Sequence, residues 1–327
     1  MRGVPDSILV APDAFKGTMS AGQVAEAVGR GMASGGWEVE LCPVADGGEG
    51  TLEALLPALD GELLSARVED PLGREIEAPF ALAGRQAIVE TTAASGLSLV
   101  AENERDPFAA STYGTGQLIA AAVEAGARRV YVGVGGSATT DGGSGAIRAI
   151  RRAGGLGDAS LVVLCDVRTR FEDAARVYGP QKGADPDAVK RLTRRLHAMA
   201  TRLPLDPRGV PMTGAAGGLS GGLWAAFDAE LVAGAAFVLD ALDFDRRMRA
   251  SRAVVTGEGR LDEQSLVGKA VSEVATRARQ AGVPSFAVVG SRALDAFGMR
   301  ILDLQVALEA GTPAALERAG QKLAELI

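Results

Sequence analysis

Four times in this chain an apolar run of strand length ends in a short polar, mostly glycine-rich segment bearing carboxylates, and a helical pattern follows. "SILVAPD" leads to Asp13 and Lys16, and "WEVELCPVAD" leads through "ADGGEGT" to Asp46, Glu49 and Thr51. "RRVYV" leads to "GVGGSATTDGG", residues 133–143, and "RAVVTGEG" leads to Glu258, Arg260 and Asp262, with Lys269 further on. Strand–loop–helix units repeated in this way specify a parallel sheet with crossover helices. In open sheets of that kind, ligands bind beyond the carboxyl ends of the strands. The 43 glycines among 327 residues cluster at these ends instead of forming linkers.

Local signals place the elements. Ser20 and Gln23 form a capping box that opens a helix, and Asp185-Pro186 and Thr312-Pro313 are further helix starts. Between residues 62 and 92 the pattern alternates with turn signals, which predicts an antiparallel meander. "SLVVLCDV" is a further strand, and the β-α rhythm returns near residue 250, ending in the strands "PSFAVVG" and "ILDLQVAL". The expected fold class is α/β with two α/β domains. Residues 1–64 and 247–327 would form one discontinuous doubly wound domain, and residues 65–246 a second, mixed one.

Composition removes several classes of function. The net charge of −7 argues against a nucleic-acid or anionic-membrane surface. No segment approaches the ~20 apolar residues of a membrane span, and the N-terminal apolar run is too short for a signal peptide. Cys42 and Cys165 read as reduced core thiols of a cytosolic protein. His197 is the one histidine and lies in a basic amphipathic helix, so sites built on several histidines are excluded. Acid, base and charge chemistry therefore falls to Asp, Glu, Lys and Arg.

Glycine runs before a helix let backbone amides converge on an anion. Carboxylates there hold magnesium or accept a proton from a hydroxyl, and Lys16, Arg260 and Lys269 can neutralise phosphoryl charge. One site made of these parts suits phosphoryl transfer from a nucleotide to an alcohol. Each motif also has a plainer reading. Asp13 and Asp46 can be loop carboxylates that cap helices, Lys16 can be solvated, "GAAGGLSGG" can be a close-packed helix start, and the basic helix 190–202 can be a solvated face. "GVGGSA" also fits the dinucleotide fingerprint, which would make the chain a nicotinamide-binding oxidoreductase.

The segments "APDAFKGTMSA", "PVADGGEGT", "GVGGSATTDGG", "YGPQKGA", "GAAGGLSGGL" and "TGEGRLDEQSLVGKA", in this order, resemble the bacterial, non-P-loop, ATP-dependent glycerate kinases. The resemblance runs from residue 8 to about residue 310. It implies a flavodoxin-like domain from the chain ends, a middle α/β domain with a cleft between them, and ATP, Mg2+ and D-glycerate as ligands. The product would be 2-phosphoglycerate or 3-phosphoglycerate. By their chemistry, Asp46 or Asp262 would deprotonate the substrate hydroxyl, assisted by Lys16 and Arg260. Asp13, Lys16, Glu49, Thr51, Glu258, Arg260 and Lys269 would line the substrate site. Gly135, Gly136, Ser137, Thr139, Asp141, Gly142, Gln181, Lys182, Gly217 and Gly218 would hold the nucleotide phosphates, and Asp46 and Asp141 would reach the metal. A homodimer is one assembly left open. The sequence departs from the pattern at Ala14, where the family usually has Ser, and in two shortened stretches, one between "GAIRAIRRAGG" and "SLVVLCDV" and one within "CDVRTRFEDAARVYGPQKGA". Those trims keep a non-catalytic, ligand-binding relative as an alternative.

Overall fold

The computed structural model describes residues 7–266 and 268–327. The chain divides into two compact units, residues 1–46 with 235–327, and residues 47–234.

In chain order the strands are β1 (Ser7–Pro12), β2 (Glu38–Leu41), β3 (Glu62–Glu69), β4 (Glu75–Ala83), β5 (Gln86–Glu90), β6 (Arg129–Gly133), β7 (Ser160–Cys165), β8 (Glu230–Ala233), β9 (Ala253–Gly257), β10 (Arg260–Leu261), β11 (Ser285–Val289), β12 (Ser291–Arg292) and β13 (Leu304–Glu309). The first unit holds a parallel sheet of order β13-β11-β9-β1-β2. Its three central strands, β11, β9 and β1, are apolar because both faces are covered. Ile8, Val10, Val255 and Val288 face the helices Ala21–Ser34 and Pro313–Ala324, while Ala287 and Val289 face the helix Ala270–Ala281. Each such buried aliphatic side chain contributes roughly 1.5–3 kcal/mol.

The helices from the two chain ends touch along small residues. A Cβ at Gly31 would overlap the Glu317 carbonyl oxygen, and one at Gly320 the Val28 carbonyl oxygen. That close crossing joins the chain ends into one unit. The winding leaves β1 toward β2 on one side and β9 toward β11 and β13 on the other. The switch point therefore falls between β1 and β9, paired from Ile8–Ala253 to Pro12–Gly257.

The second unit carries a sheet of order β3-β4-β5-β6-β7-β8. Its first two pairings are antiparallel, as the meander predicted, and the rest are parallel. Its core joins Val89, Val130, Val132 and Val163 to Leu118, Ile119, Ile150, Leu219 and Leu223 from the helices.

The unit boundaries fall at 46/47 and 234/235, ahead of the expected 64 and 247. The helix Thr51–Leu55 belongs with the second sheet because Glu90 of β5 binds its amide at Leu52, 2.7 Å away. The helix Phe244–Arg249 belongs with the first, where Arg247 pairs with Glu40 at 2.6 Å. Ile301 and Leu302, expected to start the last strand, instead end the helix Ala296–Leu302, and Asp303 turns the chain with φ 58°.

Candidate active site

The first unit gathers its polar residues at the switch point. Asp13 follows β1, Glu258 follows β9, and the Asp13 amide donates to the Gly257 carbonyl at 2.8 Å. Asp13, Lys16, Glu258, Arg260, Asp262 and Lys269 line one cavity of about 480 Å3. Lys16 Nζ lies 3.1 Å from Asp46, whose side chain is 2% exposed. The strand-end reading of these seven residues therefore converges on one place.

Within the cavity the charges are balanced but unequally buried. Lys269 Nζ stands 3.4 Å from Glu258 Oε2, and Arg260 Nε stands 3.3 Å from Asp262. Glu258 Oε1 is buried and has no hydrogen-bond partner among the described residues. Burial pushes the Glu258 carboxyl above its ordinary range, against the opposing pull of Lys269 and the Ser265 hydroxyl. Burial, then the neighbouring Asp46, pushes Asp13 well above the carboxylate range, against Lys16 and the Ala14 amide. Two buried carboxylates placed beside one another disfavour double ionisation unless a cation joins them.

Among the described residues no three Asp, Glu, His or Cys side chains converge into a metal cage. Mg2+ does not need one, since it commonly takes one or two carboxylates and completes its octahedron with water and phosphate oxygens. Asp13 and Asp46 are hard oxygen donors of that kind, and their mutual destabilisation fits such an ion.

In the second unit "GVGGSATTDGG" serves two different purposes. Its front half is a loop beyond β6. Gly136 accepts from the Leu97 amide at 2.8 Å, Ala138 donates to the Ser95 carbonyl at 2.9 Å, and Gly135 is half-buried. Lys182, 2% exposed, donates to Ser137 Oγ at 3.0 Å and to the Thr139 carbonyl at 2.5 Å. It thus braces the loop from behind. Gln181 is exposed and does not join it. The Thr139, Thr140 and Thr51 hydroxyls are buried with no hydrogen-bond partner among the described residues, whereas Glu49 is exposed.

The back half is a helix cap, and this corrects the metal-ligand expectation for Asp141. Its Oδ1 accepts from the Gly143 amide at 3.0 Å, and its Oδ2 from the Thr112 amide at 3.0 Å and the Gly145 amide at 3.0 Å. The Thr112 hydroxyl donates to it at 2.9 Å. With its lone pairs occupied and 2% exposure, this carboxylate fixes the start of the helix Ser144–Arg152. Gly142, Gly217 and Gly218, expected to hold phosphate, are packing positions. A Cβ at Gly217 would overlap the Thr139 carbonyl oxygen, and Gly142 and Gly218 abut Phe171. These contacts fit the close-packed reading of "GAAGGLSGG". The dinucleotide fingerprint also fails, because the helix starts at Ser144 and not at the glycines.

Burial lowers the Lys182 pKa to about 7, with Asp141 opposing that fall. The unfolded lysine keeps its proton to near its ordinary 10.5. Between those values folding releases a proton, so stability should rise with pH, by at most roughly 1.4 kcal/mol per unit. Urea unfolding from pH 7 to 9 should show the rise in the wild type and lose it in Lys182→Met. An equal slope in both proteins would contradict the assignment.

Sequence reasoning missed two residues of this unit, Thr112 and Glu90. Burial, with the nearby Glu49 adding, raises the Glu90 pKa to about 7, against hydrogen bonds from the Leu52 and Gly50 amides and the Thr92 hydroxyl. The signal was present, since Glu90 stands at the carboxyl end of a strand, much as Asp13 stands just after β1. Cys42 and Cys165 are buried thiols not joined in a disulfide, and burial pushes Cys42 up to about 11. No helix of the described residues is long and apolar enough to cross a membrane.

The profile of the Glycerate kinase family matches residues 8–154 and 151–326. The two pieces overlap at residues 151–154, ahead of β7. A glycerate kinase of Halalkalibacterium halodurans is 37% identical, covering 98% of this chain and 97% of its own. A glycerate 2-kinase of Escherichia coli is 36% identical, covering 86% and 85%. The crystal structure of a protein described as a glycerate kinase 2, from Salmonella typhimurium LT2, superposes with a TM-score of 0.80 at 32% identity, covering 98% of both chains. The two-sheet α/β architecture and its strand-end cavity thus define a family of small-molecule kinases. This chain belongs to the glycerate kinase family.

Proposed function

We propose that this chain transfers the γ-phosphoryl group of ATP to a hydroxyl of D-glycerate, in the cytosol and with Mg2+. The observation that carries the reading is the switch-point cavity, where cations and buried carboxylates converge and one Glu258 oxygen lacks a partner. Lys16, Arg260 and Lys269 offer positive charge to the substrate carboxylate and the phosphoryl oxygens. The expected base, Asp46 or Asp262, is in each case already engaged. Asp46 pairs with Lys16, and Asp262 accepts from the Gln264 amide at 3.0 Å and pairs with Arg260. Glu258 Oε1 is therefore the better acceptor for the substrate hydroxyl and its proton as the oxygen–phosphorus bond forms and ADP leaves. Asp46, with Asp13, would hold the metal, whose charge offsets that of the phosphates. In the second unit, the Gly135–Thr139 loop that Lys182 braces from behind is the candidate anion-binding backbone. The name of the Escherichia coli relative favours 2-phosphoglycerate as the product.

The test is ADP release from ATP and magnesium with D-glycerate, run beside controls lacking glycerate or containing EDTA. Release that needs both is expected, and phosphorus NMR of the product places the phosphate. ADP release indifferent to glycerate, or none at all, would overturn the reading.

A further inference from the structure

We propose that Glu90 is the positioning residue that holds the Gly47–Thr51 loop at the carboxyl end of β5. The loop leads into the helix Thr51–Leu55, whose N-cap residue, Gly50, has no side chain to bind the first amides. The cap comes instead from 38 residues away, as Glu90 Oε1 accepts the Leu52 amide at 2.7 Å. The Gly50 amide also hydrogen-bonds to this carboxylate. Thr92 Oγ1 donates to Oε2 at 3.4 Å.

The loop is held on its other side by bare backbone. Glu90 pairs in register with Gly133 of β6, and a Cβ on Gly133 would stand 2.9 Å from the Gly47 carbonyl oxygen. A Cβ on Gly135 would stand 3.2 Å from the Gly48 Cα. The loop thus lies against the ends of two strands with one carboxylate tying it down.

All of the named partners of Glu90 are donors. A protonated carboxyl loses its charge and puts a donor among these donors, so its hold on the loop amides weakens. The raised pKa, about 7, places that event in the neutral range. Glu49, on the loop itself, is the titratable neighbour that acts on it. On the β6 side the residue paired with Glu90 is Gly133, which carries no charge. The loop is therefore tied above pH 7 and loosened below it. What this does to turnover rests on the kinase reading, whereas the tethering itself does not.

The experiment measures hydrogen exchange across residues 48–56 at pH 8 and pH 6, corrected for intrinsic rates, together with kcat/KM. In the wild type, protection of this segment should fall about tenfold at the lower pH, the scale of one lost hydrogen bond to a charged group. Glu90→Gln keeps the shape but presents an amide donor at every pH. Its protection should be low at both values, with no step, and its kcat/KM should be about tenfold lower and flat across pH 7. Glu90→Asp, which keeps the charge, should retain the step. Exchange in Glu90→Gln that matches the wild type at both pH values would overturn the proposal. If exchange behaves as expected while the wild type shows no glycerate-dependent turnover, the tether stands and the kinase reading falls.

Discussion

Glu258→Gln is expected to lower kcat by about 10²–10⁴-fold, the range that one general base contributes, with a much smaller change in KM. The substitution preserves side-chain volume in a position that is 5% exposed. It removes the negative charge beside Lys269 and replaces the one buried carboxylate oxygen without a partner by an amide group. A buried orphan acceptor costs roughly 1–3 kcal/mol, and native structures retain few of them, so this oxygen calls for a ligand. Asp262→Asn should have a milder effect, because that carboxylate is 27% exposed and is already engaged by Arg260 and the Gln264 amide. Steady-state kinetics on the two variants decides between them. A kcat for Glu258→Gln within a few-fold of the wild type, with Asp262→Asn nearly dead, would return the base to Asp262.

The contrast between what could and could not be read from the chain has a physical origin. The capping box Ser20–Gln23 and the caps at Asp185 and Thr312 are all formed, because each depends on residues within one helical turn. The switch-point cavity was legible for a related reason. Parallel strands deliver their carboxyl ends to one edge, so Asp13, Lys16, Asp46, Glu258 and Asp262 needed only the strand assignment to be brought together. Glu90 and Asp141 were misjudged because their partners are distant in sequence. A carboxylate beside glycines looks the same whether it awaits a metal or is already saturated. For Asp141 the difference is Thr112, 29 residues away, and for Glu90 it is Leu52, 38 residues away. The glycines at 217 and 218 posed the same ambiguity, since bare backbone serves a phosphate or a neighbouring backbone equally well. The partner that settled it, the Thr139 carbonyl, belongs to another motif.

Asp141→Ala is expected to destabilise the second unit by about 3–5 kcal/mol, the cost of leaving several buried donors unpaired at once. The Thr112, Gly143 and Gly145 amides would all lose their acceptor. The Thr112 hydroxyl would lose it too, while still accepting from the Ala146 amide at 3.0 Å. For a unit of this size the melting temperature should fall by roughly 2–4 °C per kcal/mol, which is a shift on the order of 10 °C. Asp141→Asn separates this account from metal binding. It keeps the volume but turns an NH2 group toward donors, so it should also melt early, while the Mg2+ concentration that half-activates the folded fraction stays as in the wild type. A variant of normal stability that needs far more magnesium would put the metal back on Asp141. Asp46→Asn should show that second pattern, because Asp46 faces Lys16 and the neighbouring carboxyl of Asp13.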